Sequence, residues 1–119
     1  MAEIREFETG ATRSSQAGKL EYRRFLSPTV IRRYAEFMHK NRLQPNGTTR
    51  EPDNWKKGIP LDSYMDSLSR HQIEVWLIHD GQTARDENGN VVDLETALCA
   101  VIFNAMGYLH ELLKTKENI

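Results

Sequence analysis

The chain has 119 residues and a mass of 13.8 kDa, enough for one compact domain and too little for two with separate cores. Hydrophobic residues make up 39% and charged residues 28%, and mean hydropathy is -0.64, which fits a water-soluble globular protein and excludes fibrous and membrane-spanning readings. A formal net charge of -1 argues against coating duplex DNA or holding a membrane by bulk positive charge.

Residues 1–26 show no sustained period and carry Gly10, Gly18 and Ser14-Ser15, so they read as an extended arm with turns. Ser27-Pro28 then supplies an N-cap and a proline at the first helical position. Val30, Ile31, Tyr34, Phe37 and Met38 recur at helical spacing behind it, which predicts a helix over 28–41. The segment 43–55 is rich in Pro, Asn, Gly and Thr and reads as a loop. Leu61, Tyr64, Met65, Leu68, Val75 and Ile78 form one stripe of a second helix over 61–79, stopped by Asp80-Gly81. Asn88-Gly89 is turn chemistry, and Arg85 with Val91-Val92 can close a very short hairpin around it. Asp93 caps a third helix that runs to about residue 116, with Glu95 in its first turn. The expectation is an all-α single domain over 1–119: an arm, 1–26, in front of a helical core of three main helices, 27–119.

Between Ala97 and Leu109 eleven of thirteen residues are apolar and none is charged, so the third helix is apolar nearly all round. Thirteen residues fall short of the about 20 that span a bilayer. Cover from a second copy follows, and the sequence predicts a homo-oligomer built on 94–113, with Gly107 and the alanines allowing close helix approach; a central helix buried in a monomer is the alternative. Asn104 is the sole polar side chain in this run and needs partners, either in the core or on a ligand. Cys99, the lone cysteine, also lies there, so neither an intramolecular disulfide nor a cysteine-based zinc site is available. With an N-terminus lacking a basic start and an apolar stretch, the expected compartment is the cytoplasm.

Six basic residues lie between Thr12 and Arg33 against Glu21 alone, an asymmetry that suits a small anion or a solvated face. Asn54, Trp55 and Lys57 combine an amide, a ring that can stack on a base and a cation for phosphate; a tryptophan packed into the core from a polar loop fits the same composition. On the second helix, Asp66, Arg70 and Glu74 stand four apart with His71 adjacent. Arg70 and His71 can meet phosphate while Asp66 and Glu74 hold a divalent cation, or the set can be an ion-pair ladder on a wet face. The sequence carries no Gly-Lys-Ser/Thr phosphate loop and no His-Glu-x-x-His zinc helix.

Phe7-Glu8-Thr9-Gly10-Ala11-Thr12-Arg13, Gly18-Lys19, Phe25-Leu26-Ser27-Pro28, Asp53-Asn54-Trp55-x-Lys57-Gly58-Ile59-Pro60, Arg70-His71 and Phe103-Asn104-x-x-Gly107-Tyr108-Leu109-His110-Glu111 together resemble a phage and prophage family, the dATP/dGTP diphosphohydrolase N-terminal domain. The resemblance runs from about 7 to 113. It implies a purine deoxynucleotide triphosphate ligand, magnesium, a host-cell cytoplasm and a distant relation to MazG-type pyrophosphatases. MazG-type catalysis uses paired Glu-x-x-Glu and Glu-x-x-Asp helical motifs, and no predicted helix here carries either pair. What remains is a ligand set of Arg13, Lys19, Asn54, Trp55, Lys57, Arg70 and His71.

Two functions follow. In the first, a purine nucleotide is bound through its phosphates and a dNTP is hydrolysed to dNMP and pyrophosphate, with Asp66, Glu74 and Glu95 on magnesium. In the second, an oligomeric anti-defence protein sequesters a cyclic nucleotide or ADP-ribose-type immune signal without turnover. A scaffold whose loop only packs is the third and plainest possibility.

Overall fold

The computed structural model describes residues 3–117. In chain order these form β1 (Ile4–Glu6), β2 (Thr12–Ser14), α1 (Tyr22–Phe25), α2 (Pro28–Lys40), a 3-10 turn (Asn54–Lys57), α3 (Leu61–His79), β3 (Ala84–Arg85), β4 (Val91–Val92) and α4 (Leu94–Glu117). The described residues are 55% helical, with four helices and two antiparallel sheets of two strands each. This corrects the expectation of an all-α fold with three helices: the architecture is mixed, though helix-dominated.

The correction falls mainly on the arm. Ile4 pairs with Ser14, Arg5 with Arg13 and Glu6 with Thr12, and the turn between them closes through Phe7 N–H to Ala11 O and Gly10 N–H to Phe7 O, both 2.8 Å. Three-residue strands are too short to display an alternating pattern. The fourth helix, α1, is a single turn, with Arg24 bound to Glu21 at 3.0 Å, and carries no period either. In the second sheet, Ala84 pairs with Val92 and Arg85 with Val91 around Asn88-Gly89.

The longer helices begin where capping chemistry puts them. Ser27 Oγ accepts from Val30 N–H at 3.3 Å ahead of Pro28. Asp93 accepts from the N–H and the hydroxyl of Thr96, each at 2.8 Å, and the Thr96 backbone N–H is the leading reason its carboxyl titrates below the usual range.

The body is the antiparallel pair α3–α4, joined through the β3–β4 hairpin. Along its buried face α4 presents Ala97, Ala100, Asn104 and Gly107, small enough for α3 to come close. Tyr64 of α3 fills the space, is 1% exposed and is the largest fully buried side chain; its ring centroid lies 5.9 Å from that of Phe103. A Cβ on Gly107 would collide with the Tyr64 ring. The close approach read from Gly107 is thus spent inside the chain. Asn104 donates to Ala100 O of its own helix at 2.8 Å, so the buried amide is satisfied without a ligand.

α2 packs on α4, where Arg33 Nε meets Glu95 Oε1 at 2.8 Å. The described chain extends 61 × 36 × 27 Å, and no principal contact ties β1, β2 or α1 to the helices. By length and composition alone Leu94–Lys116 is long and apolar enough to cross a membrane, because the helix continues well past the charge-free run; 28% of its apolar window is buried against the rest of the chain.

Replacing Gly107 with Ala should destabilise the protein by about 1–3 kcal/mol through overpacking, although Ala is ordinarily the better helix residue by about 1 kcal/mol. Urea unfolding of Gly107→Ala, Tyr64→Leu and the double variant checks this: the penalty should shrink when the ring is removed.

Candidate functional site

A cavity of about 740 Å³ opens between α2, the segment 41–59 and α4, within the range of small-molecule sites. α2 contributes Tyr34 and Met38, and α4 contributes Phe103 and Met106, giving the wall its apolar character. The charged groups come from the connecting segment.

That segment is more ordered than its composition suggests. Leu43 and Thr49 form an antiparallel bridge, Arg50 N–H donates to Arg42 O at 2.9 Å, and Gln44 reaches Thr48 through both backbone (2.8 Å) and side chain (2.9 Å). This register sets Arg42 and Arg50 opposite each other, and both line the cavity. Like charges directly opposed across such a pair repel unless an anion lies between them or they splay apart. Arg50 donates to Asn41 O at 3.4 Å, while the Arg42 Nε is buried with no partner among the described residues.

Farther along, the 3-10 turn carries Asn54, Trp55 and Lys56 to the cavity wall. Gly58 follows at φ +115, a conformation that other residues adopt only under strain, and its N–H closes the turn on Trp55 O at 3.2 Å. The half-buried Trp55 meets His110 edge-on at 4.8 Å between ring centroids, and the Lys56 ammonium lies 5.7 Å from its ring. One edge of the indole therefore packs on α4 while the ring also lines the cavity. Glu51 and Asp53 stand on the same wall, so the cations Arg42, Arg50 and Lys56 outnumber the carboxylates by one.

Tyr34 places a buried hydroxyl here with no partner among the described residues. Burial pushes its phenol up to about 12, with the charges of Cys99 and Tyr64 adding to the shift.

Of the residues expected to bind ligand, Asn54 and Trp55 line this cavity; Arg13, Lys19, Lys57, Arg70 and His71 do not. Arg13 sits exposed in β2 and Lys19 in the turn before α1. Lys57 is exposed at the end of its turn. Arg70 donates to Ser67 Oγ at 3.0 Å, and His71 Nδ1 lies 2.5 Å from Glu74 Oε1. The expected metal set is likewise divided: Glu74 is engaged by His71, Glu95 by Arg33, and Asp66 lies exposed on α3. Among the described residues no group of three or more His, Cys, Asp or Glu gathers as a metal site. Cys99 is buried, and that burial raises its thiol pKa, against nucleophilic use.

The sequence reading missed Arg42, Arg50 and Tyr34. Asn46-Gly47 between Leu43 and Thr49 is a hairpin signal and was the available clue to the arginine pair. Tyr34 was visible only as a core residue.

Because the folded protein holds Tyr34 protonated above its ordinary value of 10, the stability it contributes is intact below pH 10 and is lost as pH rises from there toward about 12. Chemical unfolding at stepped alkaline pH should show this loss in the wild type and a smaller one in Tyr34→Phe.

Compared with protein-family models, curated proteins and solved structures, the chain matches none.

Proposed function

We propose that this protein binds a purine nucleotide in the cavity beside Trp55 and holds it without turnover. The single observation that carries the reading is the pairing of Arg42 with Arg50 on the wall that also bears Trp55. Guanidinium groups match phosphate oxygens in bidentate geometry, and opposed guanidiniums are relieved of repulsion when a phosphate lies between them. The indole gives the base a stacking partner, and Asn54 offers an amide to a base edge. The motif set that resembles dATP/dGTP diphosphohydrolases supplies the ligand class.

Binding without hydrolysis is favoured by where the carboxylates lie. Glu74 meets His71 and Glu95 meets Arg33 within the chain, and Glu51 and Asp53 share the cavity wall with Arg42, Arg50 and Lys56. Triphosphate cleavage calls for several carboxylates shared on magnesium, with water activated between them. Sequestration needs only the cations and the ring, which suits an anti-defence protein acting by stoichiometric capture.

Fluorescence or calorimetric titration with dATP tests the site. Arg42→Ala and Arg50→Ala should each weaken binding about tenfold or more, since a hydrogen bond to a charged group contributes about 1.5–3 kcal/mol. Trp55→Ala should cost about tenfold through lost stacking, with far-UV circular dichroism unchanged in all three. Equal affinity in the three variants would overturn the site. Incubation with magnesium and dATP, followed by denaturation, should return intact dATP; dAMP and pyrophosphate would overturn the claim of no turnover.

A further inference from the structure

The chain shows more surface than its mass warrants. Its accessible area is 9861 Å², against about 6,600 Å² for a compact monomer of this mass. The radius of gyration is 19.5 Å where a compact chain of this length has about 13.5 Å. Part of that excess is the arm. A continuous apolar part lies on the body, along a side of α4 that borders α3.

Leu94, Leu98, Ile102, Leu109 and Leu112 form that stripe and are 37–55% exposed. Their spacing places them on one face, beside the one that carries Ala97, Ala100, Asn104 and Gly107, over roughly 27 Å of helix. α3 widens the face with Ile73 and Trp76, the latter 65% exposed, and Trp76, Leu94 and Leu98 border a groove between the two helices. No charge interrupts α4 from Ala97 to Leu109. A monomer in water would leave this patch wet at a cost proportional to its area.

We propose that the occupant is a second copy of this chain, the α3–α4 pair of each copy stacking on the other through the α4 stripe to give a four-helix arrangement. The exposed area of these seven side chains sums to roughly 650 Å² per copy, close to the about 800 Å² per partner of a standard interface before any rim residue is added. The face holds both a ridge, the leucine stripe, and a groove beside Trp76, so it can complement itself across a two-fold axis. A bilayer suits it less. The helix buries Asn104 and Gly107 against its own chain, and the Arg33–Glu95 ion pair sits beside its first turn. The proposal stands whether or not the cavity beside Trp55 takes a nucleotide.

Light scattering on the full chain should give a mass of about twice 13.8 kDa. Leu109→Lys and Trp76→Glu should each weaken association about a hundredfold, the effect of truncating a central contact, while keeping helical circular dichroism. A readout that needs no interface variant is Trp76 emission in a Trp55→Phe background, which should shift to the red on dilution. A monomeric mass at all concentrations with red Trp76 emission throughout would overturn the proposal. So would dimers surviving both substitutions, or a monomer that sediments with phosphatidylcholine vesicles.

Discussion

The α3–α4 body and the cavity beside it are positioned by the contact of Tyr64 with Gly107. A tyrosine ring on α3 occupies the place a Cβ would take on α4, and Ala100 and Ala97, two and three turns earlier, let the two helices close together. That contact fixes the rotation of α4 about its own axis. One side of the helix is committed to α3, a second receives α2 and the Trp55 turn, and a third is left bare. The cavity and the apolar stripe are two outcomes of the same choice of rotation.

The cavity depends on this arrangement because two of its walls, Phe103 and Met106, come from α4. His110, one turn beyond, holds the edge of Trp55. α2 supplies a further wall, and the last is a short hairpin-like loop whose backbone brackets two arginines. In physical terms the site joins an apolar floor to a cationic rim, the combination an aromatic anion requires. The charge surplus is small, so recognition would come from placement, not from bulk attraction.

Much of the helical skeleton was legible in the sequence because its signals are local. Ser27-Pro28 and Asp93 mark helix starts by their own hydrogen bonds, and the Leu61 to Ile78 stripe states its period over five turns. The arm was not, since strands of three residues and a helix of four are shorter than any period they might reveal. The site was half legible. Asn54 and Trp55 follow from residue type, but of the partners expected beside them Lys57 is exposed at the end of the same turn, and the others lie on α3 and the arm, elements whose placement no local pattern fixes. Arg70 and His71 suit either a phosphate or an intrahelical ladder by residue type; in the structure they engage Ser67 and Glu74, each three residues away on the same helix. Arg42 and Arg50 went unseen because their alignment is a property of the loop's register, which a composition of turn-formers conceals.

The central claim is that a nucleotide enters beside Trp55 and not beside the other tryptophan. The two indole N–H resonances in a proton–nitrogen correlation spectrum, followed as dATP is added without metal, address it directly. The Trp55 signal should move to saturation together with the side-chain resonances of Arg42 and Arg50, while the Trp76 signal stays in place. A saturating shift at Trp76 alone, or at neither indole, would contradict it.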